Sequence, residues 1–386
     1  MERRRSVLLL PGQGAQRERM AAGLYEAREE FTAPMDEFFG RVGTTGARLR
    51  SAWLRPAPNP ELDESAVAQP LLFAVGHALG RAVGAAAEPP GLLLGHSVGE
   101  LAAACLMGVF DPADIGALAA ARSRALEGTG YGGMLAVAAS EGQLAEELGG
   151  FGDGAAVGAD RAVAGADRLA VGADGIAAGA DGVAVAGVAD RAAFAGVAVA
   201  ALNGPRQTVL AGPREALAAV EQRLRDRGFL VRALRSGHAF HSPAMEGAAL
   251  RFGEALAGFG PHAPRAAAGT VVSTRTGVAV TADQARDPHF WGGQLAAPVR
   301  YWPALRELLD TLGRRPGLLL LDASADRSLS APARHHPAVR DGASEVVPLL
   351  AVGRDAGGPA DARVFAEALH RLGEQRDHAG DHTVVS

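Results

Sequence analysis

The chain has 386 residues, 48% hydrophobic and 21% charged, which suffices for one large core or a core carrying an inserted subdomain. It is too short for a large multidomain assembly. Net charge is -5 and all 38 basic residues are arginine, so there is no basic field and nucleic acid is excluded as a partner. High Ala and Gly content, with no lysine, points to a GC-rich coding bias.

A single cysteine, Cys105, excludes a disulfide framework and a Cys-based zinc site, and no metal is expected. After the basic start Met1–Arg5, only Val7–Leu10 are apolar before Pro11, too short for a signal-peptide core. No apolar run approaches the ~20 residues that span a bilayer. The expectation is a soluble, cytoplasmic chain.

Short apolar runs at Ser6–Leu10, Leu92–Leu94, Thr270–Ser273, Leu318–Leu321 and Val346–Leu350 end in turn residues and precede helical patterns. Strands alternating with helices predict a parallel α/β sheet. Between Met134 and Ser236 the pattern changes to Met134–Ala138, Val197–Leu202, Thr208–Ala211 and Leu230–Leu234, with a helix at Pro213–Arg227. This predicts a small α+β unit inserted into the larger sheet.

Inside that unit Gly-Ala-Asp recurs at Gly158, Gly165, Gly172 and Gly179, a strict seven-residue step. A coiled coil would lose about 1 kcal/mol at each helical glycine. A calcium-binding repeat would need more than one Asp per repeat. The tract therefore reads as a surface loop or disordered excursion without chemistry. The polar end, from about Gln375 to Ser386, is expected to fray.

Leu92-Leu93-Leu94-Gly95-His96-Ser97-Val98-Gly99-Glu100 is an apolar run ending in Gly-x-Ser-x-Gly, followed by a helix through Cys105. In such an elbow a strand turns sharply into a helix and presents serine at the helix N-terminus. Free N–H groups and the helix dipole there favour developing negative charge. The alternative is a tight turn that happens to contain serine. A nucleophilic serine needs a base. His241 lies 144 residues later in Gly237-His238-Ala239-Phe240-His241-Ser242-Pro243, but the chain has 11 histidines and spacing selects none.

Three motifs stand in one order: Pro11-Gly12-Gln13-Gly14-Ala15-Gln16, Gly95-His96-Ser97-Val98-Gly99-Glu100 and His238-Ala239-Phe240-His241-Ser242. With Ala68-Gln69-Pro70-Leu71-Leu72-Phe73, Ala121-Arg122-Ser123, Asn203-Gly204-Pro205, Val209-Leu210-Ala211-Gly212 and Gln294-Leu295-Ala296-Ala297-Pro298-Val299, they cover residues 6 to 370 apart from the repeat. This ordered set resembles malonyl-CoA:acyl carrier protein transacylases, above all the acyltransferase domains of polyketide synthases.

The resemblance implies an α/β fold with a hydrolase-like large subdomain built on a parallel sheet, residues 1–131 and 239–371. It implies an inserted small ferredoxin-like α+β subdomain at 132–238, holding the repeat at about 152–195, and leaves a disordered tail at 372–386. It further implies transfer of malonyl from malonyl-CoA through a serine ester to the phosphopantetheine thiol of an acyl carrier protein, without a cofactor. Ser97 would be the nucleophile and His241 the base. The N–H groups of Gln13 and Val98 would form the oxyanion hole. Arg122 would bind the malonyl carboxylate, with Gln69 and His96 beside it in the pocket. The family lacks the acidic third member of the usual triad, and a backbone carbonyl at Gln294 would orient the imidazole instead.

His-Ala-Phe-His is associated with malonyl selection in this family and Tyr-Ala-Ser-His with methylmalonyl. Phe240 would fill the space a 2-methyl group needs, worth ~1–3 kcal/mol. Val98, where methylmalonyl enzymes often carry glutamine, points the same way. The family's Glu-Val-Gly-Pro-Gly turn reads Asp322-Ala323-Ser324-Ala325-Asp326 here, and its glycine after the arginine is Ser123. Met1 stands 10 residues before Pro11, so a discrete monomer acting in trans on carrier proteins or polyketide synthase modules is expected. Three other functions fit the residues less well. A hydrolase clearing stalled carriers has no use for Arg122 against a neutral chain. A non-catalytic carrier-binding protein would not need Ser97 and His241. A lipase would need a triad acid and leaves the Gln13 loop unexplained.

Overall fold

A computed structural model of the chain describes residues 4–148, 170–172, 175–177, 196–265, 269–314 and 316–380. Eleven strands are described: β1 (Arg5–Leu10), β2 (Leu92–Gly95), β3 (Gly133–Val137), β4 (Ala170–Gly172), β5 (Gly175–Ala177), β6 (Ala198–Gly204), β7 (Gln207–Gly212), β8 (Val231–Ala233), β9 (Thr270–Val272), β10 (Leu318–Asp322) and β11 (Glu345–Pro348).

Five of them make a wholly parallel sheet in the order β11-β10-β1-β2-β9. All five lie at the expected apolar runs. They read as continuous hydrophobic runs because both faces are covered. Alternate residues of β1 go to opposite sides: Leu8 and Leu10 into one core cluster, Val7 and Leu9 into another. From β1 the chain moves outward through β2 to β9, whereas β10 leads to β11 on the other flank. Connections diverging in this way leave a crevice at the C-terminal ends of the central strands, where α/β sheets place their sites.

A second, antiparallel sheet has the order β6-β7-β3-β8. With the helices Glu141–Leu148 and Arg214–Asp226 the chain order is strand, helix, strand, strand, helix, strand, the ferredoxin-like arrangement. Leu135, Val137 and Leu210 face the two helices, which contribute Leu144, Leu217, Val220 and Leu224. The opposite face, through Ala200, Val209 and Ala211, joins the core cluster that holds Val7, Leu9 and Leu94 of the large sheet. One apolar cluster therefore cements the small sheet over the large one. The helix Glu141–Leu148 carried no signal noticed in the sequence.

One feature departs from expectation. The segment 372–386 does not begin as a disordered tail: the helix Pro359–Gly380 runs through it, with Phe365, Ala368 and Leu372 buried. Polar composition after Leu372 suits a helix end as readily as a coil, and no proline or glycine pair interrupts it before Gly380. Residues 381–386 lie outside the described residues. Most of the heptad tract also lies outside them, so the surface-loop reading stands as an expectation there. The exceptions are β4 and β5, which pair antiparallel.

The unusual turn after β10 is closed by its own side chains. Asp322, fully buried, accepts from Ser324 N at 2.8 Å, Ser324 Oγ at 2.6 Å and Ser330 N at 3.1 Å. Asp326 pairs with Arg17 at 2.5 Å, tying this turn to the segment following the first glycine-rich loop.

The large sheet presents the elbow through two close approaches. A Cβ on Gly95 would lie 2.2 Å from Glu100 N, and one on Gly99 2.4 Å from Leu10 O. Both obstacles are backbone and cannot turn aside. Gly99→Ala is expected to cost about 1–3 kcal/mol by overpacking, read as a lower denaturation midpoint in urea. An unchanged midpoint would mean the elbow relaxes freely.

Candidate active site

Ser97 caps the helix Val98–Leu106 with φ 53° and ψ −117°, a conformation L-residues rarely adopt. Such backbone costs on the order of 1–3 kcal/mol and persists only where surrounding packing imposes it. His96 N donates to Leu10 O at 2.9 Å, so β1 holds the elbow from its side. The elbow serine is therefore a positioned group and not an ordinary turn residue.

His241 reaches it. Ser97 Oγ and His241 Nε2 are 2.8 Å apart, with both residues buried. His241 also has positive φ, 61°, and its N donates to Leu295 O at 2.9 Å. Its Nδ1 lies 2.9 Å from Gln294 O and 3.0 Å from Ala297 O. Carbonyl oxygens only accept, so Nδ1 carries the proton and Nε2 is left with a lone pair for the serine hydroxyl. Two backbone carbonyls thus occupy the place an aspartate would take in a triad. Gln294 contributes its carbonyl; its own side-chain Nε2 is buried without a partner. Ala297 was not anticipated, because a backbone acceptor leaves no mark in residue type.

Burial, reinforced by His96 and Arg122 nearby, pulls the His241 pKa down to about 3. The imidazole is therefore neutral, the form a base requires.

Arg122 sits in the last turn of the helix Ile115–Ala125 and is 5% exposed. Its guanidinium donates to Gln69 Oε1. Burial alone draws its pKa down to about 10, which leaves it charged at neutral pH. Among the described residues no carboxylate pairs with it. A buried charge without a counter-ion is costly, and an anionic ligand would relieve it. Ser123, in place of the family's glycine, turns its hydroxyl back to Ala119 O at 3.1 Å.

The remaining residues named from the sequence gather here too. Gln69 Nε2 donates to Gln13 Oε1 at 2.7 Å. Val98 is the first residue of the helix behind Ser97, where the N–H has no intrahelical acceptor. His96 Nε2 meets Asn203 Oδ1 of β6 at 2.8 Å, linking the elbow to the small sheet. Asn203 belonged to a recognised motif, yet its contact with His96 could not be read from residues 107 positions apart. Phe240 is 3% exposed, its ring centred 5.4 Å from that of His238 and 6.4 Å from that of His241.

Below the elbow Glu100 is 1% exposed and accepts from Thr274 Oγ1 at 3.2 Å. Burial pushes its pKa up to about 7, against the opposing pull of Ser273, Thr274 and Arg275.

An elbow serine, a neutral histidine held by carbonyls and a buried guanidinium are the groups that a serine-dependent acyl transfer would need. The acyl transferase domain family matches residues 7–150 and 152–315. The chain belongs to that family. It is 32% identical over 306 residues to polyketide synthase GfsB of Streptomyces halstedii, covering 79% of this chain and 5% of that one. It is 32% identical over 309 residues to the spectinabilin polyketide synthase system protein NorB of Streptomyces orinoci, covering 78% of this chain and 12% of that one. The chain thus spans only a small part of the length of these relatives.

Among solved structures, the acyltransferase domain from the second module of the salinomycin polyketide synthase superimposes with a TM-score of 0.72 at 29% identity, covering 99% of this chain and 78% of that one. The acyl transferase domain of SpnD, in complex with 2-(pent-4-yn-1-yl)malonyl, gives 0.75 at 26% identity, covering 97% and 77%. The malonyl CoA-acyl carrier protein transacylase of Coxiella burnetii, at 20% identity, TM-score 0.68 and coverage of 96% and 99%, shares the fold.

The depressed His241 pKa has a kinetic consequence. A base whose folded pKa lies below the ordinary 6.5 keeps its neutral form as pH falls. The kcat/KM for acylation of Ser97 should stay level from about pH 8 to about pH 5.5 and decline only below that. A half-maximal point near 6.5 would mean the imidazole is solvated.

Proposed function

We propose that this acyltransferase moves a malonyl group from malonyl-CoA to the phosphopantetheine thiol of an acyl carrier protein, in polyketide or fatty acid synthesis. The observation that carries this reading is Arg122, a buried cation that no carboxylate among the described residues pairs with, near enough to His241 to lower its pKa. A neutral acyl chain offers it nothing. A malonyl carboxylate supplies the missing charge and can accept two parallel N–H bonds from the planar guanidinium.

In the first half-reaction Ser97 Oγ bonds to the thioester carbonyl carbon while His241 Nε2 takes the hydroxyl proton. The tetrahedral oxyanion is met by the N–H groups of Gln13 and Val98, each such donor being worth ~10²–10³ in rate. The C–S bond breaks, the coenzyme A thiolate takes the proton from His241, and a malonyl-serine ester remains. In the second half-reaction His241 removes the proton of the carrier thiol, which attacks the ester. The ester C–O bond then breaks, malonyl stays on the carrier sulfur, and Ser97 Oγ takes the proton back from His241. Gln294 and Ala297 carbonyls support the imidazolium in both halves. No cofactor takes part.

Phe240 packs beside His241, where its ring would exclude a 2-methyl branch, and this supports malonyl over methylmalonyl. The SpnD domain carries a far larger malonyl substituent, so this scaffold can be shaped for other units. We further place the protein in the cytoplasm, as a monomer serving carrier proteins in trans. The helix Ser65–Ala86 is long and apolar enough to cross a bilayer, yet 89% of its most apolar window is buried within the fold, which supports a core role.

Incubation with malonyl-CoA followed by intact-mass measurement should reveal a malonyl adduct on the wild type and none on Ser97→Ala. An adduct persisting in Ser97→Ala would displace the nucleophile elsewhere. Arg122→Ala should lose roughly 10–150-fold of the preference for malonyl over acetyl, since a charged hydrogen bond is worth ~1.5–3 kcal/mol. An unchanged malonyl-to-acetyl ratio of kcat/KM would remove Arg122 from carboxylate recognition.

A further inference from the structure

We propose that Ser65 and Gln69 are positioning residues that clamp the side chain of Gln13 and thereby fix its backbone N–H. The proposal deepens the transfer reading and rests on Gln13 N–H serving as an oxyanion donor.

The loop after β1 cannot hold Gln13 by backbone sterics. Gly12 and Gly14 flank it, and Gly14 has φ +109°. Glycines leave φ and ψ of their neighbours weakly constrained, so an N–H between two of them needs another anchor. Gly12 has to be glycine, because a Cβ there would lie 2.5 Å from His96 O. The loop thus gains close approach to the elbow and loses stiffness for the same reason.

The side chain of Gln13 supplies the anchor. Its Oε1 accepts from Gln69 Nε2 at 2.7 Å and lies 3.2 Å from the Ser65 hydroxyl, while its Nε2 donates to Ser65 Oγ at 3.0 Å. Ser65 and Gln69 lie four residues apart at the start of the helix Ser65–Ala86, so they share one face and reach the same amide. Both ends of that amide are gripped by one rigid element.

Arg122 sets the direction of the whole chain. A guanidinium only donates, so Gln69 must turn Oε1 towards it, as observed. Gln69 Nε2 then has to donate to Gln13, and the amide nitrogen of Gln13 has to donate to a hydroxyl. Reversing either amide would set donor against donor. The residue that meets the substrate carboxylate therefore also dictates how the oxyanion loop is held. Ser65 ends the chain, and its hydroxyl is the one group in it that can either donate or accept.

The test is acylation of Ser97 under single-turnover conditions in the full chain, with malonyl-CoA and acetyl-CoA as donors. Complete loss of an oxyanion donor costs ~10²–10³, so a loosened one should slow Ser65→Ala by about tenfold with both donors. Half-saturating donor concentration should change by less than about twofold, because Ser65 bonds to Gln13 and not to Arg122. Ser65→Thr keeps the hydroxyl and should recover most of the rate. Gln69→Leu removes a clamp contact and the acceptor of Arg122, so malonyl acylation should fall further than acetyl acylation. Wild-type acylation rates in Ser65→Ala would overturn the clamp. So would a loss that Ser65→Thr does not recover, or one appearing equally in rate and donor affinity. If the wild type takes no acyl group onto Ser97, the transfer reading itself falls and the clamp with it. Normal loading with an indifferent Ser65→Ala sinks the clamp alone.

Discussion

The 2.8 Å contact between Ser97 Oγ and His241 Nε2 joins two residues that both sit at positive φ, 53° and 61°. Neither conformation is one that an L-residue chooses for itself. Packing must impose both, and the scaffold provides it at each side. Leu10 O receives His96 N, Gly95 and Gly99 let backbone approach backbone, and Leu295 O receives His241 N. Strain of this kind persists only where its surroundings over-determine it. The parallel sheet, the elbow and the segment 294–299 can be understood as the parts that impose it.

Electrostatics follow from the same burial. Excluding water from the site lowers the pKa of His241 and Arg122 and raises that of Glu100. The imidazole becomes neutral, and the guanidinium becomes a cation with a hydrogen-bonding amide but, among the described residues, no counter-charge. A buried cation of this kind is costly unless an anion approaches it. The small sheet belongs to this arrangement: Asn203 of β6 reaches His96, and β6 exchanges backbone hydrogen bonds with Val299 beside the carbonyls that hold His241. An apolar cluster shared by both sheets makes the two halves of the site one packed body.

The parts of this site that were legible in the sequence are those carried by residue type. The apolar run before Gly95 and the helical pattern after Gly99 placed the elbow, because a buried parallel strand leaves no polar alternation to mistake. The inserted unit showed itself through a change of pattern between Met134 and Ser236. His241 was different: among 11 histidines only a family motif singled it out, since a base is defined by where its ring points. Ala297 and Ser65 passed unnoticed for a related reason. One acts through its carbonyl, which every residue has, and the other through a hydroxyl on a helix whose facing loop is distant in the chain. The helix through 372–380 was misread because polarity alone does not separate a helix end from a coil.

The sequence by itself determined the fold class, the strands of the large sheet, and the chemical kinds of group available to the site. Those follow from hydrophobic period, glycine placement and local turn chemistry, all of which act over a few residues. Only the tertiary structure decided which imidazole meets which hydroxyl, that two carbonyls replace an acid, and that Arg122 pairs with an amide and, among the described residues, with no carboxylate. These depend on contacts between segments up to 144 residues apart. They also depend on desolvation, a property of the whole packed interior and of no single residue within it.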